Sequence, residues 1–295
     1  MKKLQLIVFF YIMFLAGFVN AQTWEIFYYP KLIKADPNNA KTVLAGLIKY
    51  TTWGTPENVI VFDNRIEMTF KGKKRTTINH SIYFSDMASH PVCVSRLELT
   101  PAAKSNNAII YYYNYMISLK NCNLHGENFR DVLIYGSDLP APLITLADTY
   151  VKQNVPLTES NYEKLADYLF FFQHPYMIQH YDSLLAQFKP ISEQYHVLKV
   201  KPPVSEEQRK YIVQANAMNK NKDYEKAIDL YNKALELNQI AYPEGYSNLA
   251  LLSAQLNNFD GAIFYMKEYL LLEPEAADAR SAQDKIYEWE AQAGK

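Results

Sequence analysis

The chain has 295 residues with 49% hydrophobic content, which is enough for two modest domains and excludes a disordered tail. Its 30 Lys and Arg residues against 31 Asp and Glu give a net charge of -1, so no global basic field attracts nucleic acid or an anionic membrane. We therefore expect neither as a partner.

The first residues have the pattern of an export signal. Two lysines precede an apolar run at 6–19, which ends in small residues before Gln22, as in a cleaved secretory signal. We expect cleavage after Ala21, so that residues 1–21 are removed. An uncleaved anchor is the alternative, but it needs a longer run of about 20 apolar residues. The mature protein is therefore expected to be exported, and to be periplasmic or associated with the outer envelope of a bacterium.

Residues 22–190 are predicted to form an α+β domain. An aromatic run at 24–29 is a strand or a docking arm, and Asp36 is the expected N-cap of a helix at Pro37–Tyr50. Apolar and polar residues then alternate from 58 to 151, which predicts about seven short strands, each with one face exposed to solvent. The strand candidates are Val59–Phe62, Ile66–Phe70, Thr76–Phe84, Val92–Leu99, Ile109–Leu119, Val132–Tyr135 and Leu143–Tyr150.

Two helices and a connector follow the strands. Apolar stripes at 162–172 and 178–188 predict two helices, and Pro175 is expected to end the first of them. Pro190 and the paired prolines before Val204 predict a stiff linker at 191–204, where we place the domain boundary. Ser205 is the expected N-cap of the helix that follows.

About seven antiparallel strands followed by a helix at Glu163–Gln173 resemble the pleckstrin-homology-like barrel in topology. The resemblance implies a small β-barrel or sandwich capped by that helix. Domains of this kind bind phospholipid head groups or peptides, but a fold alone does not determine function. The only basic cluster of the segment lies at 71–75.

The C-terminal part, residues 205–292, repeats itself. The segment that begins at Tyr211 recurs from Tyr246 with a period of about 35 residues, which indicates a helical-repeat array. Each unit is predicted to contain two antiparallel helices, with small residues where the helices approach closely. The large positions are Tyr211, Tyr224, Tyr231, Tyr246, Phe259 and Met266, and the small positions are Ala215, Ala227, Ala234, Ala250 and Ala262.

This alternation of large and small residues resembles the tetratricopeptide repeat, and Pro274 matches the closing proline of that family. The resemblance implies two repeats and a capping helix at Glu275–Ala291. Lys222 and Asn257 depart from the pattern, because glycine is common at their position. Proteins of this family bind other proteins, so we expect a protein or peptide partner.

The resemblance also implies that the first helix of each unit lines a groove for an extended or helical segment of the partner. The groove positions are Arg209, Ile212, Asn216, Asn219, Lys220, Ser247, Asn248, Leu251, Ala254 and Gln255. Some family members clamp a C-terminal carboxylate there with two asparagines and several cations. Ile212 replaces the first of those cations, and Asp278 and Ala282 replace others, so a carboxylate would lose most of its charge-assisted bonds. We do not expect the clamp.

Catalytic and metal-binding patterns are weak. No two of the six histidines are four residues apart, as zinc ligands on one helix face would be. No Gly-rich phosphate loop occurs among the nine glycines. Cys93 and Cys122 either form a disulfide in an oxidising compartment or stay as two buried thiols. We expect no cofactor, no metal and no catalysis.

These patterns together predict a non-catalytic exported adaptor or scaffold with an N-terminal α+β domain and a C-terminal helical-repeat module. Two alternatives stay open. The first is small-ligand or lipid-head binding by the β-domain, with the repeats as a scaffold. The second is an enzyme, whose sign would be a concave site that pairs a histidine with a carboxylate or with Cys93.

Overall fold

The computed structural model describes residues 25–48, 51, 55–72, 76–89, 92–105, 108–120, 131–137 and 159–294. The described chain is α+β. Its strands are β1 (Glu25–Tyr28), β2 (Asn58–Val61), β3 (Arg65–Lys71), β4 (Thr77–Tyr83), β5 (Val94–Ser105), β6 (Ala108–Lys120) and β7 (Asp131–Ser137). Its helices are α1 (Pro37–Leu47), α2 (Glu159–Val197), α3 (Glu206–Lys220), α4 (Tyr224–Leu237), α5 (Glu244–Gln255), α6 (Phe259–Leu272) and α7 (Ala279–Gln292), and a 3-10 turn covers Phe84–Met87.

The strands form two antiparallel sheets, one in the order β1-β5-β6-β7 and one in the order β2-β3-β4. The predicted alternation holds on β3, where Ile66, Met68 and Phe70 are buried between less buried neighbours. No ladder joins the two sheets within the described residues, and the strand candidate at 143–150 lies outside them. Closure into a barrel or sandwich therefore stays a prediction.

Helix α1 begins where the sequence predicts. The carboxylate of Asp36 accepts a hydrogen bond of 2.9 Å from the backbone N–H of Asn39, which satisfies one of the donors left open at a helix start. The predicted end at Tyr50 is wrong, because the helix ends at Leu47 and the extended backbone of Ile48 leads that side chain into the core.

The prediction that Pro175 separates two helices is wrong, because α2 runs through it. A proline inside a helix costs about 3 kcal/mol, but the neighbouring Gln173 is held in place by distant partners. Its amide nitrogen donates to the carbonyl of Met87 at 2.6 Å, and its amide oxygen accepts from the N–H of Val92 at 3.1 Å. These bonds and the buried side chain of Met177 hold both sides of the proline in helical geometry.

Helix α2 also passes through Pro190, so the predicted linker at 191–204 is helical as far as Val197 and the non-helical connector is shorter. The side chains of Phe188 and Tyr195 on either side of this proline are buried in the C-terminal core. The first half of α2 lies instead in the N-terminal core, with Tyr162 and Leu165 fully buried. One helix therefore contributes to both cores.

The C-terminal helices repeat their turn geometry as well as their sequence. Lys222 and Asn257, 35 positions apart, both adopt a left-handed backbone, with φ of 62° and 61°. The next residues, Asp223 and Asn258, both cap a helix by accepting from a backbone N–H three residues later. Ser205 caps α3 in the same way, as the sequence predicts. The shared geometry explains why glycine would suit positions 222 and 257.

The predicted capping helix begins later than expected. Residues 273–278 form single turns, with the N–H of Ala276 bonded to the carbonyl of Glu273, and α7 begins at Ala279 instead of Glu275. Within the described ranges, no helix combines the length and the hydrophobicity that a membrane span requires. The apolar run at 6–19 lies outside those ranges, so the export signal stays a prediction.

Candidate binding site

The residues that define the repeat build the C-terminal core. Ala215, Ala227, Ala234, Ala250 and Ala262 are fully buried, and Tyr231, Tyr246 and Met266 are nearly so. Tyr211, Tyr224 and Phe259 are half-buried against this core, whereas Pro274 lies exposed in the turn after α6. Small side chains let the paired helices approach closely, and the large ones fill the space between the pairs.

The predicted groove residues lie on α3 and α5, and we call their surface the first-helix face. Its exposed members are Arg209, Asn216, Asn219, Lys220, Leu251 and Gln255, and Ser247, Asn248 and Ala254 are half-buried. Ile212 differs from the rest, because it is buried in the core and offers little surface to a partner. In the described chain, the main packing partner of α3 is α4, and those of α5 are α4 and α6.

Two amides of the first-helix face are oriented by hydrogen bonds to tyrosines. The oxygen of Asn216 accepts from the hydroxyl of Tyr231 at 2.6 Å, and the nitrogen of Asn248 donates to the hydroxyl oxygen of Tyr242 at 3.2 Å. Within the described residues, these bonds leave the NH₂ group of Asn216 and the oxygen of Asn248 with unused hydrogen-bonding capacity.

Helix α2 covers the second helix of the second unit. The rings of Tyr181 on α2 and Phe264 on α6 stack with centroids 4.7 Å apart. Near the ends of both helices, the hydroxyl of Tyr195 donates to the carboxylate of Glu273, and the imidazole of His196 lies 3.0 Å from the carbonyl oxygen of Leu272. Helix α2 thus braces the helical module along α6.

A cleft of about 720 Å³ lies where the N-terminal segment meets the helical module, and we call it the junction cleft. Its walls come from four separate parts of the chain. The lining residues are Tyr28, Tyr29, Pro30, Lys31, Leu32, Phe170, Gln255, Leu256, Asn257, Asn258, Phe259, Asp260, Gln292, Ala293 and Gly294. No sequence pattern predicts this cleft, although Tyr28 and Tyr29 in its wall belong to the aromatic run at 24–29, which is predicted as a strand or a docking arm.

The walls of the junction cleft are held by polar contacts. The hydroxyl of Tyr28 and the backbone N–H of Lys31 both donate to one carboxylate oxygen of Asp167, at 2.8 and 2.7 Å. On the other side, Nε2 of His174 lies 3.1 Å from Oδ2 of Asp260. Burial raises the pKa of the Tyr29 hydroxyl, which stays protonated at neutral pH.

His174 lies at the contact between α2 and α6. Its ring packs edge-on against Phe170, with centroids 5.3 Å apart, and its Nε2 faces Asp260. The imidazole does not line the junction cleft, although Asp260 does. The contact therefore places a histidine beside a carboxylate. The imidazole bridges α2 and α6 and does not face the cleft.

The structure describes one of the two cysteines, and it can show metal-binding groups only within the described residues. Cys93 is half-buried near Tyr29, whereas Cys122 lies outside the described residues, so a bridge between them stays a prediction. Within the part of the chain that the structure describes, no group of His, Cys, Asp and Glu side chains is arranged to hold a metal ion.

Comparisons with protein-family models, with curated proteins and with solved structures give no match for this chain.

Proposed function

We propose that this protein is an exported, non-catalytic adaptor of the tetratricopeptide-repeat type, whose first-helix face binds an extended segment of another envelope protein. The observation that supports docking is the exposure of the first-helix face within the described chain, on a module that α2 braces along α6. The proposed export depends on the apolar run at 6–19.

The side chains of the first-helix face favour an uncharged polypeptide. Asn219 and Gln255 are exposed amides, which donate and accept hydrogen bonds as the peptide groups of an extended segment do. Val213 and Leu251 add exposed apolar surface on the same two helices. Arg209 lies 3.4 Å from Glu206, so one of the cations on this face is already partly balanced. A strongly acidic partner is not required.

The bracing of the module favours binding without large rearrangement. Its helices share one buried core, and α2 adds the aromatic stack between Tyr181 and Phe264. A preformed surface loses less conformational entropy when a partner docks. The flexible component of the complex is then the partner segment.

Site-specific photo-crosslinking in the native host tests this proposal. A photoreactive side chain is placed in the complete protein at Asn219 or Leu251, both exposed on the first-helix face. We expect crosslinks from both positions to the same envelope protein. Matched control positions are Lys233 and Glu236, which are exposed on α4, and we expect no crosslink to that protein from them.

A third position separates docking by the helical module from binding by the β-domain. Ile60 is an exposed apolar residue on the edge strand β2. Crosslinks that form at Ile60 but not at Asn219 or Leu251 would assign the interaction to the N-terminal part and overturn the proposal. Absence of any crosslink at the two first-helix positions would overturn it as well.

A further inference from the structure

The junction cleft has the dimensions of a small-molecule site. Its volume of about 720 Å³ falls within the usual range of small-molecule sites, about 300 to 1,000 Å³. The surrounding chain is ordered by contacts between distant residues, because Asp167 on α2 holds both Tyr28 and Lys31. The site therefore exists before a ligand arrives.

One class of lining residue is aromatic. Tyr29, Phe170 and Phe259 come from three separate parts of the chain and carry aromatic rings to the cleft. Phe170 is nearly buried and also packs against His174, which fixes the orientation of its ring. The half-buried rings of Tyr29 and Phe259 leave surface on which the flat C–H face of a ligand can stack.

The second class of lining residue is the amide. Gln255, Asn257 and Gln292 are exposed at the cleft, and no hydrogen bond within the described residues occupies their side chains. Asn258 differs, because its oxygen already caps α6 by accepting from the N–H of Gly261 at 3.1 Å. Each uncommitted amide offers both donors and an acceptor. Hydroxyl groups have the same dual character.

The charges that line the cleft balance each other. Lys31 contributes an ammonium group, and Asp260 contributes a carboxylate that lies against His174. An anionic ligand would meet one cation and one carboxylate, and so would gain little from the charges. A purely apolar ligand would remove water from these groups and from the amides without replacing their hydrogen bonds. A neutral ligand rich in hydroxyl groups needs no net charge in the cleft, and its hydroxyl groups replace the hydrogen bonds that the lining residues make to water.

We propose that the junction cleft binds a short uncharged saccharide, which stacks on the aromatic rings and is hydrogen-bonded through its hydroxyl groups by Gln255 and Gln292. This site goes beyond the proposed adaptor function, although Gln255 lies on both surfaces. Sugar binding at the joint between the N-terminal segment and the helical module adds contacts to both parts at once.

Binding by the complete mature chain tests the proposal. The probes are neutral trisaccharides of glucose, mannose, galactose and N-acetylglucosamine, and binding is measured by isothermal titration calorimetry and by the rise in thermal midpoint. We expect at least one probe to bind. Gln255→Ala and Gln292→Ala each remove one neutral hydrogen-bonding group, so each is expected to weaken binding about five- to tenfold.

Matched variants separate this site from the adaptor surface. Gln283→Ala removes an amide from the same helix as Gln292, but Gln283 lines a different pocket, between α2, α6 and α7. Asn219→Ala removes an exposed amide of the first-helix face only. Both changes are expected to leave saccharide affinity unchanged. Of these two changes, only Asn219→Ala is expected to weaken partner crosslinking.

Three results would overturn the proposal. The first is that none of the four trisaccharides binds. The second is that Gln255→Ala and Gln292→Ala bind the sugar as tightly as the unchanged protein. The third is tighter binding of charged matched probes, the glucuronic acid and glucosamine oligomers, or of a blocked trialanine peptide, which would assign another ligand class. None of these results bears on crosslinking at Leu251.

Discussion

Nε2 of His174 lies 3.1 Å from Oδ2 of Asp260, and this contact joins the middle of α2 to the first turn of α6. The two side chains are 13% and 7% exposed. At such positions solvent screens the interaction less than at the surface, and removal of one partner leaves the other in a poorly solvated place. The pair therefore links the N-terminal part to the helical module.

The first prediction concerns the strength of this link. In a double-mutant cycle with His174→Ala and Asp260→Asn, we expect each single change to lower the free energy of unfolding by about 2 kcal/mol and the coupling to be about 1 to 2 kcal/mol. Urea unfolding followed by circular dichroism measures both. The control cycle uses Arg280 and Asp284, whose side chains are 86% and 51% exposed, and it should give coupling below about 1 kcal/mol. Equal coupling in the two cycles would contradict the prediction.

The second prediction concerns Gln208, which is fully buried at the start of α3. Its amide nitrogen donates to the carbonyl oxygens of Ala234 and Asn238, both at 3.0 Å, at the end of α4. Gln208→Leu keeps the apolar bulk but leaves these carbonyls without their donor, so we expect a loss of about 2 kcal/mol in the free energy of unfolding. Gln214→Leu, at an exposed site on the same helix, is the control and should change stability by less than about 0.5 kcal/mol.

Local signals in the sequence predicted much of this structure. Asp36 and Ser205 cap helices where predicted, because a cap depends only on residues three positions away. The continuity of α2 through Pro175 was missed because it depends on bonds from Gln173 to residues more than 80 positions earlier. Sequence periodicity carries no information on such distant partners.

The junction cleft could not be predicted for a related reason. It forms only because α2 packs along α6, which brings the segment near Lys31 against the turn near Asn257. The periodicity of α2 indicates an apolar stripe but does not specify which helix will cover it. The first-helix face comes instead from the resemblance to the repeat family, and its role in binding stays a prediction.

The third prediction uses the left-handed residues of the two inter-helix turns. Lys222 has φ of 62°, a conformation that costs a residue with a side chain about 1 kcal/mol and costs glycine almost nothing. Lys222→Gly is therefore expected to raise the free energy of unfolding by about 0.5 to 1 kcal/mol. Asn257→Gly should have a smaller effect, because asparagine tolerates this conformation better than lysine. Lys210→Gly, within α3, is the control and should destabilise by about 1 kcal/mol, and the order of the three variants in urea unfolding checks the argument.

The fourth prediction is a pH dependence of stability that originates at Glu268 on α6. This side chain is 8% exposed, and burial raises the pKa of its carboxyl group from 4.5 to about 8. Between these pH values the folded protein holds a proton that the unfolded chain releases, so the stability contributed by this group is complete below about pH 4.5 and is lost as the pH rises to about 8. The free energy of unfolding should therefore fall over this interval by at most about 4 kcal/mol.

Glu268→Gln isolates this contribution, because the amide resembles the protonated carboxyl group and does not ionise. We expect the variant to match the unchanged protein at pH 5 and to exceed its stability at pH 8, with a flatter curve between them. Glu236→Gln removes an exposed carboxylate of α4 and should leave the slope unchanged. If Glu268→Gln and the unchanged protein lose stability in parallel from pH 5 to pH 8, the carboxyl group of Glu268 is ionised in the folded protein throughout that range, and its burial must then be compensated by a cationic or hydrogen-bonding partner.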